Sequence, residues 1–485
     1  MPAWRNSWRP ARLEEILPSG VVRCHLSPRN CTLKEGQNGF CGVRGNRGGC
    51  LVTMNYGKSV HITEETIETE AVNHYSPGER ILSLGNIGCM LNCVFCQNWK
   101  TAQAKCVDDK DVHLYSPEDV VEIALRRNIR CLSWTYNDPV VWHEFVLDTA
   151  KLARQAGLIN LYKSAFFISA EAIEELIPYI DIFSISVKSA DPEFYKKYTS
   201  GWMDPVLDGC KRVFRAGRHV EVSNLMVTDI SDSEESARRV VEWVLRELDS
   251  TVPLHFVRFH PDYKMRDTER TPVPRILRAR EIALAMGVEN VYVGNMYDTP
   301  WTNTYCRSCG SLLVERYGLN ASVTGVDAFG KCLKCGRDSH VKLLPPSRPV
   351  PTTENPGPDL TEVRAMNWHG DVRGAHLQIV NSGSETAHAY YRRHAENAHD
   401  AAWRVLSLKG GEGYRVSVAK SRAEETGLEV AAQRGIHCLI HEVFDRAHFP
   451  TVPVDEGQAE TDVTPLPVYQ GKQVSIRAMK AQSGC

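Results

Sequence analysis

Ile81-Leu82-Ser83-Leu84-Gly85-Asn86-Ile87-Gly88-Cys89-Met90-Leu91-Asn92-Cys93-Val94-Phe95-Cys96 runs an apolar strand candidate straight into three cysteines spaced C-x3-C-x2-C. Three thiolates this close can hold three irons of a [4Fe–4S] cube and leave the fourth iron open. An open iron can take a small molecule, which makes such a centre reactive. Gly88 lets the backbone turn tightly beside the cube. The competing assignment, a zinc site, prefers two C-x2-4-C pairs, and here there is one triplet.

The surrounding composition is that of an ordinary globular protein of two or three domains, 485 residues long. Its formal net charge of −2 gives no electrostatic case for nucleic acid or an anionic membrane surface. No apolar run reaches the roughly 18–20 residues of a membrane span. The first residues, Met1-Pro2-Ala3-Trp4-Arg5-Asn6, lack the apolar segment of a secretory signal. Most of the sixteen cysteines fall into ligand-like groups, which predicts a reducing, cytoplasmic setting.

Further stretches extend the pattern on both sides. They include 35–44 (EGQNGFCGVR), 83–89 (SLGNIGC), 93–98 (CVFCQN), 134–139 (WTYNDP), 191–199 (DPEFYKKYT), 255–263 (HFVRFHPDY), 292–295 (YVGN) and 304–310 (TYCRSCG). With Phe95 just before the last cysteine, residues from Cys24 to about Gly336 resemble the radical S-adenosylmethionine (SAM) enzymes of the AmmeMemoRadiSam type. These are relatives of the glycyl-radical-enzyme (pyruvate formate-lyase) activases. The resemblance implies that SAM chelates the open iron through its amino and carboxylate groups. Reductive cleavage then gives a 5′-deoxyadenosyl radical. It says little about substrate, because one fold hosts many reactions.

From residue 81 strands and helices alternate. Strand candidates are 81–84, 130–135, 159–162, 182–187, 220–225, 254–259 and 291–293. Helical segments include 117–127, 140–156, 170–177, 233–248 and 274–286. The alternation predicts an α/β fold with a parallel sheet, here a partial (β/α)6 TIM-like radical SAM barrel with its reactive groups at the C-terminal strand ends. The expected organisation is an N-terminal Cys-rich module (1–80), the barrel (81–300), a zinc-ribbon-like module (301–343), a Pro-rich linker (344–360) and a C-terminal domain with a flexible tail (361–485). Residues 451–470, rich in Pro, Asp and Glu, are expected to be flexible. The C-terminal region has the strand-like stretch His376–Val380. Its histidines at 369, 376, 388, 394, 399, 437, 441 and 448 are too dispersed to predict a metal site. Tyr390-Tyr391-Arg392-Arg393 could face a substrate or a partner, and the sequence does not choose.

Cys89, Cys93 and Cys96 are the expected cluster ligands and catalytic centre. By resemblance, the segment Tyr136-Asn137-Asp138-Pro139 meets the SAM amino group, and Asn137 and Asp138 can both accept from an ammonium. A plain turn before Pro139 is the alternative. Lys188 is kept from the related Asp-Leu-Lys pattern and can pair with the SAM carboxylate. Ser186 replaces the Asp, which puts a cation site of the activase kind in doubt. His260 could touch SAM or substrate, or be an ordinary core histidine. Cys306-x2-Cys309 and Cys332-x2-Cys335 suit tetrahedral zinc, with a rubredoxin-like iron or second cluster as the rival. Cys24, Cys31 and Cys41 match an N-terminal cysteine module of the family, but Ser27 stands where it usually has another cysteine. Cys50 or His25 could complete that site, or it is empty. Cys106, Cys131, Cys210 and Cys438 read as small core residues, and Cys485 as part of a mobile end.

The expected function is abstraction of hydrogen from a small polar substrate, in natural-product biosynthesis, with electrons from a donor such as flavodoxin or ferredoxin. The first alternative is an activase that installs a glycyl radical on a partner protein, docked through the C-terminal domain. The second is a non-catalytic metal-binding scaffold.

Overall fold

The computed structural model describes residues 2–127, 129–296, 299–344, 352–353, 360–367, 374–395, 403–419, 425–443 and 460–466. The chain forms two compact units, Met1–Leu344 and Pro345–Cys485.

The first unit is built on one eight-stranded sheet whose strands follow chain order. β1 (His61–Thr66) lies antiparallel to β2 (Arg80–Gly85). The remaining strands, β3 (Cys131–Thr135), β4 (Ile159–Ser164), β5 (Ile182–Ser186), β6 (His219–Met226), β7 (Leu254–Arg258) and β8 (Val291–Gly294), run parallel to β2. Six helices connect them: α1 (Pro117–Arg126), α2 (His143–Gln155), α3 (Ala170–Leu176), α4 (Met203–Arg215), α5 (Glu234–Glu247) and α6 (Val273–Met286). This is the expected (β/α)6 partial barrel, with β8 as a seventh parallel strand. All seven strand candidates are strands.

Local chemistry starts the helices where the sequence marks them. Asp119 N–H donates to Ser116 Oγ (3.1 Å) and Ser116 N–H to Asp119 Oδ2 (2.7 Å), a capping box ahead of α1. Ser236 N–H donates to Ser233 Oγ (3.2 Å) at the start of α5.

The barrel interior changes character along its axis. Ile81, Cys131, Leu161 and Ile182 pack with Ile67 and Val72 at its N-terminal end. Two residues further along each strand the inward positions become Ser83, Ser133, Lys163 and Ser184, because side chains alternate faces. An apolar plug therefore underlies a polar floor.

The N-terminal segment is a set of small antiparallel hairpins, among them Val22–Cys24 paired with Cys31–Leu33 and Arg44–Arg47 paired with Cys50–Thr53. Its Trp4, Val22, Leu33 and Leu51 join the core that contains Leu82, Trp134 and Phe145. A buried ion pair ties it to α2. Arg44 Nη1 donates to both Glu144 oxygens (2.8 and 3.0 Å), and Arg12 N–H donates to Oε1 (2.7 Å). Burial works against the Glu144 charge, but Arg44 and these donors hold its pKa below the usual carboxylate value.

The second unit is two antiparallel sheets. One orders Thr352–Thr353, Arg404–Leu408, Ala387–Ala395, Glu425–Gln433 and Leu360–Asn367; the other orders Ile436–Val443, Gly374–Asn381, Gly413–Ala419 and Glu460–Leu466. Leu377, Ile379, Leu406, Leu408, Val416 and Leu428 from both sheets share one core, as in a β-sandwich. Tyr390 and Tyr391 are buried, and Arg392 pairs with Glu429 (2.6 Å), so the tyrosines offer no exposed binding surface. Residues 460–466, inside the segment expected to be flexible, pair with Gly413–Ala419 as an edge strand. The prolines of the linker (345, 346, 349, 351, 356 and 358), His369, His399, His448, the remainder of 451–470 and Cys485 lie outside the described residues.

Breaking a buried pair by removing one partner strands the other charge. Glu144→Ala should lower the unfolding free energy by about 3–5 kcal/mol. Glu234→Ala, which removes an exposed partner of Arg278 (2.9 Å), should cost less than about 1 kcal/mol. Denaturant unfolding monitored by tryptophan fluorescence separates the two; equal losses would contradict this account.

Candidate active site

The loop after β2 carries Cys89, Cys93 and Cys96, and all three line one cavity of about 470 Å³ at the C-terminal end of the barrel. Backbone bonds seat this loop. Asn92 N–H donates to Thr199 O (2.9 Å), Val94 N–H to Tyr198 O (3.0 Å) and Lys264 N–H to Val94 O (3.1 Å). The 191–199 stretch that stood out in the sequence is therefore the seat of the cysteine loop. Phe95 is buried against Phe194, ring centroids 5.9 Å apart.

Gly88 fits nothing larger. Its φ is +94°, and an added Cβ would lie 2.8 Å from the Cys41 carbonyl oxygen and 3.0 Å from Val43 Cγ1. The N-terminal hairpins thus back directly onto the turn that presents Cys89.

Asn137 and Asp138 are placed next to the loop, but their polar atoms are engaged within the protein. Asn137 Nδ2 donates to Gly88 O (2.5 Å), and Asn137 Oδ1 accepts from Asn86 N–H (3.2 Å). Asp138 is fully buried and accepts from Ser164 Oγ (2.8 Å), Ala165 N–H (3.0 Å) and Val140 N–H (3.2 Å). Burial raises its carboxyl to about 6, against these donors. In this arrangement both brace the corner that holds the cysteine loop. Tyr136, at φ +71°, accepts at its carbonyl from Asn98 Nδ2, two residues past Cys96.

Lys188 lies just past the end of β5 and lines the cavity; its N–H donates to Tyr195 Oη (3.0 Å). Ser186 Oγ is 3.2 Å from Ser223 Oγ, also on the cavity wall. His260 is exposed at the rim, with Nδ1 2.8 Å from the Pro261 carbonyl. It is not a core histidine.

Residues missed in the sequence also hold the loop. Arg29 Nε donates to Met90 O (2.8 Å), Nη2 reaches Ser200 O, and the guanidinium lies 3.6 Å over the Phe40 ring. Asn55 Nδ2 donates to Ile87 O (3.0 Å), and buried Asn86 Nδ2 to Asp138 O (3.1 Å). The one available signal was an asparagine at the end of an apolar strand, in Gly85-Asn86-Ile87.

The donor set fits an iron–sulfur cube. Burial pushes all three thiols up, Cys93 to about 12, with Lys188 opposing at Cys93 and Cys96. Metal binding replaces those protons, so Lys188 favours the thiolate ligand form.

The four-cysteine group is different. The sulfur atoms of Cys306, Cys309, Cys332 and Cys335 all lie within 4.8 Å of one another. Cys306–Cys335 is 3.5 Å and Cys309–Cys332 is 3.7 Å. A tetrahedron with metal–sulfur bonds of about 2.3 Å has edges of about 3.8 Å, so the geometry fits one tetrahedral ion. Both knuckles turn the same way: Gly310 N–H donates to Cys306 O (2.9 Å) and Gly336 N–H to Cys332 O (2.8 Å), with positive φ at each glycine.

Cys24, Cys31 and Cys41 line a small cavity with Arg29, Arg44 and Met90. Cys24 and Cys31 are direct partners in the hairpin. Neither suggested fourth ligand joins them. His25 is engaged by Glu15 (2.9 Å) and Asn30 (2.8 Å), and exposed Cys50 sits on the other hairpin. Among the described residues, the four-cysteine group is the one set of ligand atoms close enough for a single ion.

Known proteins bear on this geometry. The Radical SAM superfamily profile matches residues 84–244. An uncharacterized protein of Methanocaldococcus jannaschii is 38% identical over 336 residues, 69% of this chain and 100% of the relative. The pyruvate formate-lyase-activating enzyme of Clostridium pasteurianum is 23% identical over 201 residues, 38% of this chain and 81% of the relative. Among solved structures, a domain of a pyruvate-formate lyase-activating enzyme from Bacteroides vulgatus aligns with 34% of this chain and 98% of its own, at 15% identity and a TM-score of 0.30. The cysteine triplet at the mouth of a partial parallel barrel agrees with the matching profile and the relatives in sequence: this chain is an enzyme of the radical SAM superfamily, related in sequence to the glycyl-radical-enzyme activases.

Proposed function

We propose that the cavity holds SAM and a small polar substrate together and that the enzyme abstracts hydrogen from that substrate. The observation that carries this reading is one continuous cavity, with the three cysteines at its mouth and Lys163, Ser186, Ser223 and His255 deeper inside. Its volume, about 470 Å³, suits small-molecule contents. A [4Fe–4S] cluster on Cys89, Cys93 and Cys96, with SAM on its open iron, would supply the one-electron chemistry and the 5′-deoxyadenosyl radical. The chain's own residues bind, orient and exclude water. Lys188 pairs with the SAM carboxylate. Asn137 and Asp138 act one step back, by fixing the loop.

An electron donor such as flavodoxin or ferredoxin serves the reduction, in the cytoplasm; no helix among the described residues is long and apolar enough to cross a membrane. Serines at 27 and 186 and the added C-terminal sandwich support a specialised role in natural-product biosynthesis. The activase reading has one support of its own, sequence similarity to activating enzymes such as that of (2S)-3-sulfopropanediol dehydratase from Klebsiella oxytoca. Copurification of one glycyl-radical protein would favour that reading over turnover of a free metabolite. Zinc, being redox-silent and tetrahedral, is the proposed occupant of the four-cysteine site, in a structural role.

Anaerobically reconstituted, reduced protein should release 5′-deoxyadenosine from SAM, and Cys93→Ala should release none. Lys188→Met should weaken SAM binding about 10- to 100-fold, the effect of losing a hydrogen bond to a charged group. Release by Cys93→Ala at the wild-type rate would refute the assignment. For the second site, elemental analysis should find zinc that Cys332→Ser loses while reconstituted iron is retained. Iron in place of zinc in the native protein would overturn that assignment.

A further inference from the structure

The polar floor of the barrel has an uneven charge balance. Glu221 is fully engaged: it accepts from His219 Nε2 (3.0 Å), His255 Nε2 (2.8 Å) and the N–H groups of Asn73 (2.9 Å) and His74 (2.7 Å). Glu70 accepts from Ser133 Oγ (3.1 Å) and Thr135 Oγ1 (2.7 Å). Lys163 has no such partner. Its Nζ donates to Ser184 Oγ (3.1 Å) and Ser223 Oγ (3.1 Å), and among the described residues no carboxylate stands within ion-pair distance. An ammonium has three donors, so one remains.

Lys163 lines the cavity, where its remaining surface is exposed. Ser223 links it to Ser186 on the same wall (3.2 Å). A cation whose hydrogen-bond partners are hydroxyls, with Glu70 and Glu221 acting only from longer range, is costly in a barrel interior, and an apolar residue would be more stable there. The layer below shows that alternative, in Ile81, Leu161 and Ile182. Burial lowers the Lys163 pKa to about 8, with Glu70 and Glu221 opposing, and an entering anion would favour the charged form further.

We propose that Lys163, with Ser186 and Ser223, binds an anionic group of the substrate, a carboxylate or phosphate, at the floor of the cavity. The substrate is thereby anchored by its charged end, with its remainder directed toward the cysteine loop. The ammonium and hydroxyls together give an anion donors on one wall. This substrate class rests on the reading that the cavity holds SAM and substrate together.

The test uses the reconstituted full chain saturated with SAM, so that Lys188 is already occupied. Acetate, inorganic phosphate and neutral acetamide are titrated separately by calorimetry. One of the two anions should bind at a single site and acetamide should not; acetate or phosphate alone identifies the anion class. Lys163→Met should weaken that anion at least tenfold and Ser223→Ala several-fold, while Lys163→Arg should retain it. Equal binding of acetamide, no binding of either anion, or unchanged affinity in both Lys163→Met and Ser223→Ala would overturn the proposal. Failure of the wild type to bind SAM at all would instead count against the parent reading, whereas SAM binding with indifference to anions sinks only the floor site.

Discussion

Three thiols in one half-buried loop must be held by a backbone that does not relax away from them, and the first unit is organised around that need. Left alone, burial favours the protonated form at each cysteine. The loop is therefore fixed from several directions. The turn at Tyr195–Thr199 receives its N–H groups, Asn137 and Asn55 hold the carbonyls of Gly88 and Ile87, and Arg29 holds that of Met90. Lys188 favours the thiolate at both Cys93 and Cys96.

This makes the N-terminal hairpins part of the site. Cys41 and Val43 press against Gly88, and Arg29 spans from the hairpins to the loop. The buried Arg44–Glu144 pair locks the same hairpins to α2. Cys24, Cys31 and Cys41 then lie directly behind Met90, close to the loop but without a fourth side chain drawn in to complete a single-ion site. At the far end of the barrel, Arg316 from the four-cysteine segment is buried and donates to Asn73 O (2.8 Å) and Thr304 Oγ1 (2.9 Å). That ties the second cysteine site to the fold and supports a structural role for it.

Much of this was legible in the sequence. Alternating apolar runs located the strands and most helices, since that signal is local. The two kinds of cysteine spacing separated a triplet from a paired-knuckle site, and the structure keeps them distinct. Long-range pairing was not legible. The hydrogen bonds by which Asn137 and Asp138 brace the cysteine loop were not foreseeable, because a carboxylate and an amide at a strand end have the same composition whatever they face. Lys163, Ser184 and Ser223 were hidden in plain strand sequence, unlike Ser186; only β register turns them to one face. The C-terminal sandwich escaped because its two sheets are assembled from strands distant in sequence.

The central claim is that Cys89, Cys93 and Cys96 hold a cube with one open iron that SAM completes. Electron paramagnetic resonance of the reduced, reconstituted protein, with and without SAM, tests it most directly. The account predicts a single reduced [4Fe–4S] signal, lost in Cys93→Ala, whose g values change when SAM is added. A cluster signal that SAM leaves unaltered, or that persists in Cys93→Ala, would contradict it.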